Sequence, residues 1–180
     1  MGLDPVIGML LSASFAILFA SAAWHKWRDL RRFDEVFSAY ALLPRVPRLR
    51  LSWTVPLLET AVALGLLSDI SRAYAGGVGV ALLLSYAGAM ALNLARGRRD
   101  IACGCGGPDE RRPIAAWMVW RNLLLALLLS GALWHWSRRA LLLTDWGTIV
   151  FGIAAAVVVY VCVDRLGQLG RRAKALQGTS

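Results

Sequence analysis

The sequence is poor in the residues from which most catalytic centres are built. It contains three cysteines and two histidines. No Ser-His-Asp set, phosphate-binding glycine loop or haem-attachment motif accompanies them. It also lacks any repeat of 20 to 50 residues, any low-complexity tract and any long linker, so one helical domain over residues 1–180 is the economical expectation. No Lys or Arg precedes the first apolar run, whereas Asp4 does. That argues against a cleaved secretion signal, although Ala20-Ser21-Ala22 imitates a cleavage site, and the run is expected to remain as a helix.

What is present in abundance is apolar sequence. Hydrophobic residues make up 58% of the chain, eight are tryptophan, and the mean hydropathy is +0.56. A soluble domain of this size does not carry such a balance. A helical crossing of the hydrocarbon core needs about 20 mostly apolar residues, and only helices or closed barrels satisfy their backbone groups there. The apolar runs here are long and do not alternate, which selects helices. Five are expected to cross: 6–24, 51–67, 73–95, 114–136 and 146–163. The expected fold is therefore all-α, a polytopic membrane bundle of about five transmembrane helices. Gly76, Gly77, Gly79, Gly88 and Ala89 make the third run a candidate for close helix packing.

Basic residues outnumber acidic ones, 20 to 11. They sit in the loops that flank apolar runs, where lipid head groups and the positive-inside rule account for them, so no nucleic-acid partner is inferred. If all five runs cross, one side collects sixteen Lys and Arg and the other three. That asymmetry puts the N-terminus outside and the 96–113 loop at the cytoplasmic face. In "KWRDLRRFDEVFSAYALLP", Trp27, Leu30, Phe33, Phe37 and Tyr40 recur at spacings of three and four with charges between them. The pattern predicts an amphipathic helix lying in the lipid interface until Pro44 stops it.

Ionisable groups within apolar runs cost roughly 2.5 to 3.5 kcal/mol at a helix centre, so each one needs a reason, either a site or a structural one in which Arg121 snorkels, Lys26 binds head-group phosphates and Glu59 pairs with one of them. Glu59 lies inside the second run behind Pro56; Arg121 and Asn122 lie inside the fourth; His25 and Lys26 close the first, Asn93 the third and Cys162 the fifth. Alternating crossings bring all of these to the membrane face that carries "DIACGCGGP", with Cys103 and Cys105 one glycine apart. Adjacent thiols can close a small, labile disulfide or exchange it with another protein, and cationic neighbours favour the reactive thiolate. Cys162 could serve as a resolving thiol. The residues leave two other readings open. One is a zinc or cuprous site completed by His25 or Cys162, although zinc pairs usually have two to four intervening residues. The other is a structural turn among glycines, since Gly104, Gly106, Gly107 and Pro108 favour one.

"HKWRDLRRF", "YALLP", Glu59, "DIACGCGGP" and "WMVWRNLLLALLL" together resemble the MauE family of methylamine utilisation proteins, within the wider MauE/DoxX group of redox-associated membrane proteins. The resemblance covers the first helix to the fourth. It implies a bacterial inner-membrane protein needed for the small subunit of methylamine dehydrogenase, a periplasmic quinoprotein subunit rich in disulfides. It also implies a thioredoxin-type partner of the MauD kind, with Cys103 and Cys105 as the redox pair. Glu59, Arg121, Asn122, His25, Lys26 and Asn93 would then support thiol reactivity or proton transfer. No bound cofactor is expected; a quinone-linked oxidase is a rival reading without a supporting motif. Cysteines at the cytoplasmic face fit a relay of reducing equivalents across the membrane to that partner, provided the thiols can be reached from both faces in turn; the alternative is that one short span does not cross, which puts them outside.

Overall fold

A computed structural model describes residues 4–41, 48–101, 113–133 and 139–177. The chain is a helical membrane protein. The helices are α1 (Pro5–Arg28), α2 (Leu30–Ala39), α3 (Arg48–Leu66), α4 (Arg72–Ala95), α5 (Ala116–Gly131) and α6 (Leu143–Gln177). Among the described residues no strand forms. Three helices, α1, α4 and residues 143–167 of α6, are long and apolar enough to cross a bilayer, while the apolar parts of α3 and α5 are shorter.

The chain divides into two compact units, Leu11–His135 and Met1–Leu10 with Trp136–Ser180. In the first, α4 packs directly against α3 and α5. Side-chain pairings fix the helix directions. Phe19 lies against Gly79, and Lys26 against the ring of Tyr86, so α1 and α4 run parallel. Val62 also meets Gly79 while Gly65 meets Ala75, so α3 runs opposite to α4. Leu129 meets Gly79 and Leu133 meets Gly76, so α5 does too. The result is an up-down-up-down bundle of α1, α3, α4 and α5. Its main core contains Phe15, Phe19, Val62, Leu66, Leu83, Ala126 and Leu129. A second core of Tyr40, Met90, Ile101, Ile114 and Met118 sits at the end where α4 stops and α5 begins.

The expected amphipathic helix is present, but its limits differ from the pattern's. α1 runs on to Arg28 and takes Trp27 with it. Asp29 then breaks the helix with non-helical backbone angles, and its carboxylate accepts the Arg32 N–H at 3.1 Å, starting α2 afresh. α2 ends at Ala39 with Tyr40 as its C-cap. Pro44 lies outside the described residues.

In the second unit, Arg139 bridges the starts of two helices. Its guanidinium donates to Asp4 (Nε–Oδ2 3.1 Å) and to Asp145 (Nη1–Oδ2 2.7 Å). Asp4 also accepts the Val6 N–H at 2.9 Å, and these bonds, Arg139's first, hold its carboxyl below the usual range. α6 thus begins beside the start of α1, and its Gly152 faces Leu10. α6 extends well past its apolar run, to Gln177.

Candidate functional site

Glu59 is fully buried on α3. Lys26, also buried near the end of α1, donates to both carboxylate oxygens, at 2.6 Å to Oε1 and 2.8 Å to Oε2. Tyr86 of α4 donates its hydroxyl to Oε1 at 2.8 Å. One carboxylate therefore ties three helices together. The Lys26 ammonium also lies 5.4 Å from the centroid of Phe33 and 5.7 Å from that of Tyr86, a partly aromatic cage that compensates for lost hydration. A lone buried charge is very costly, but this pair is closely matched and hydrogen-bonded on both sides. Beside it, Trp27 donates to Thr60 Oγ1 at 3.1 Å, and that hydroxyl donates to the Pro56 carbonyl at 2.7 Å.

A second polar group sits where α4 ends. Gly97, at φ 73°, turns the chain into the left-handed region that glycine favours. Its N–H reaches Leu94 O and that of Arg98 reaches Asn93 O, each at 3.0 Å, in a Schellman ending. The turn directs Arg98 back towards the end of α2, where the last carbonyls need donors. Arg98 Nη2 donates to Ala39 O at 3.0 Å, and its Nη1 to Asn93 Oδ1 at 3.3 Å. Fully buried Asn93 in turn donates to Tyr40 O at 3.2 Å. Burial pushes the Tyr40 phenol up to about 12. Just beyond, Ile114 N donates to Ile101 O at 2.9 Å, with both side chains buried. This bond closes the stem of the segment that carries Cys103 and Cys105, which themselves lie outside the described residues. Replacing Arg98 with alanine is expected to cost about 1 kcal/mol, the net worth of an exposed, charge-assisted bond. Thermal unfolding of purified protein checks this, with Arg99→Ala, one residue on, expected to leave the midpoint unchanged.

The remaining sequence-derived residues separate. Buried Asn122 donates to Met118 O of its own helix at 2.8 Å. The Arg121 guanidinium lies 5.3 Å from the Trp117 ring centroid, a cation–π contact. His25 is half-buried, and its side chain makes no hydrogen bond or ion pair with the described residues. Cys162 is an exposed free thiol on α6 in the other unit. Among the described residues no group of three His, Cys, Asp or Glu side chains is placed to hold a metal ion. Tyr86 and Arg98 escaped sequence reading. The signal for Tyr86 was its position on the face of α4 that also carries Gly79, Leu83, Met90 and Asn93, at helical spacing.

The family profile described as "Methylamine utilisation protein MauE" matches residues 4–135. The chain belongs to the MauE family. The MauE protein of Paracoccus denitrificans is 33% identical over 168 residues, covering 93% of this chain and 90% of the relative. That of Methylorubrum extorquens is 32% identical over 131 residues, covering 73% and 70%. That of Methylophilus methylotrophus is 35% identical over 129 residues, covering 71% and 66%. No solved structure matches the chain. Membership of the MauE family links the protein to methylamine utilisation. The matched region contains Lys26, Glu59, Tyr86, Asn93, Cys103 and Cys105, and it ends before Cys162.

Proposed function

We propose that this MauE protein is a bacterial inner-membrane thiol–disulfide factor that supports maturation of the small subunit of methylamine dehydrogenase. In this reading a thiolate of the Cys103–Cys105 pair attacks a disulfide of a thioredoxin-type partner of the MauD kind. The mixed disulfide is then resolved by the other cysteine. The MauE pair becomes a disulfide and the partner a dithiol, with two electrons and two protons transferred. The observation that favours this is the anchored stem, Ile101 to Ile114, at the end of the bundle that also holds Lys26, Glu59 and Tyr86. Asn93, Arg121, Asn122 and His25 belong to the same end and would act on the pair only indirectly. Cys162 is the weakest member, being outside the family match; normal growth of a Cys162→Ser strain would remove it.

Five crossings are part of the same reading. The alternating directions of α1, α3, α4 and α5 support it, as does the start of α6 beside the start of α1. With sixteen basic residues on one side, the cysteine segment then lies at the cytoplasmic face, and the protein relays electrons outward by exposing its thiols to the two faces in turn.

A scaffold for the partner or the nascent subunit is the second reading. It is favoured by the completeness of the Lys26–Glu59 pairing, which serves as a clasp without any chemistry. Replacing Cys103 and Cys105 together with alanine separates the two. The redox reading expects loss of growth on methylamine and loss of the small subunit from the periplasm. Retention of both with normal amounts of the variant in the membrane would overturn it in favour of the scaffold.

A further inference from the structure

Four tryptophans project from the bundle at one level. Trp24, Trp53 and Trp120 are 62%, 51% and 72% exposed, and Trp27 is 36% exposed. They come from α1, α3 and α5, yet the pairings with α4 place them together. Lys26 meets Tyr86, so Trp24 and Trp27 flank that level of the bundle. Trp53 meets Trp27 edge to face, with centroids 5.8 Å apart. On α5, Leu129 meets Gly79 and Leu133 meets Gly76, so antiparallel running brings Trp120 to about the level of Gly88. Towards the other end of the bundle the large exposed hydrophobic side chains are aliphatic, among them Ile17, Leu64, Val78 and Leu127. That stretch closes at the Asp69–Arg72 ion pair and at Tyr74, which is 81% exposed. On the near side of the belt the chain enters amphipathic α2, and the second core begins.

Exposed indoles are stable where an apolar ring meets the hydrocarbon and the N–H meets water or lipid carbonyls. We infer that Trp24, Trp53 and Trp120 are a belt seated at one lipid–water boundary, with Trp27, whose N–H is held by Thr60, completing it through its ring alone. The Lys26–Glu59–Tyr86 centre then lies at that boundary and not in mid-membrane. The partner of this surface is the glycerol and head-group layer of a phospholipid bilayer. From the level of Arg72 to that of Gly88 is about 24 Å of helix axis. This is slightly short of the roughly 30 Å of a typical hydrocarbon core, a difference that local bilayer thinning accommodates. The short apolar lengths of α3 and α5 fit the same thin slab. The inference explains why a second core is needed. Met90, Ile101, Ile114 and Met118 lie beyond the belt, where lipid no longer covers apolar side chains, and α2 with Tyr40 supplies the cover. It does not depend on the redox reading of the cysteines.

The test is depth-resolved fluorescence quenching of the purified protein in vesicles of phosphatidylcholine brominated at a shallow or a deep acyl position. The signal of the belt is the difference between the parent and Trp24→Phe or Trp120→Phe, exposed sites where the smaller ring disturbs no packing. A Leu127→Trp variant supplies a mid-slab reference. Greater loss of the belt signal with shallow bromine, and of the added Leu127→Trp signal with deep bromine, is the expected result. A belt signal quenched equally by both, or more by deep bromine, would overturn the inference.

Discussion

Replacing Glu59 with alanine is expected to cost about 3–5 kcal/mol, the toll of leaving a buried charge without its partner. Two donors lose their acceptor at once: the Lys26 ammonium, which bonds both oxygens, and the Tyr86 hydroxyl. Lys26→Met is expected to be milder, because Glu59 keeps the Tyr86 bond and the methionine fills the space along the lysine stem. The double variant Lys26→Met/Glu59→Leu removes both charges and replaces them with apolar volume. Exchanges of that kind are often neutral or stabilising, so most of the lost stability should return. Thermal unfolding in detergent reads all three. If the double variant is as unstable as Glu59→Ala, the pair is not what holds α1, α3 and α4 together there. The same strains separate structure from function. A double variant that accumulates normally but fails to support growth on methylamine assigns the ion pair a task beyond packing.

The fold was largely legible in the sequence because its determinants are local. Each apolar run became a helix, since the bilayer offers the backbone no other partner within a single segment. The ends were harder to read. The break at Asp29 depends on one side chain capturing the Arg32 N–H, a contact that hydrophobic spacing does not encode. At the candidate site, Glu59 and Lys26 stood out because charge is rare in apolar runs, and their pairing follows from running α1 and α3 in opposite directions. Tyr86 did not stand out. A tyrosine in a membrane helix is ordinary, and only the rotation of α4 turns its hydroxyl towards Glu59. Arg98 was hidden for a similar reason: it was one of several loop cations until the left-handed turn at Gly97 aimed it at α2. His25 and Asn122 share the expected end of the bundle with Glu59. Topology alone set that level, and helix rotation then left them out of its hydrogen bonds.

The glycines of α4 carry the second large effect. Without a hydrophobic force between helices in lipid, close van der Waals approach does the holding, and small residues permit it. Sequence groups Gly76, Gly77, Gly79 and Gly88 together; the packing divides them. A methyl group on Gly79 would lie 2.9 Å from Leu129 Cδ2, 3.1 Å from Val62 Cγ1 and 3.2 Å from Phe19 Cε2, so three neighbouring helices would all have to give way. Gly77 and Gly88 have nothing within 4 Å of that position. Gly79→Val is therefore expected to cost about 3 kcal/mol or more, at or beyond the upper end of ordinary overpacking penalties. It should also leave little folded protein in the membrane. Gly88→Ala should instead gain up to about 1 kcal/mol, from the better helix propensity of alanine where nothing obstructs it. Gly76→Ala should fall between, because the obstruction is the end of the Leu133 side chain, which can change rotamer. The order of unfolding midpoints, Gly88→Ala above parent, then Gly76→Ala, then Gly79→Val, checks the bundle directly. A Gly79→Val protein as stable as the parent would mean that α1, α3 and α5 do not converge on α4 at this point. The helix directions, and with them the level assigned to the tryptophan belt, would then fall.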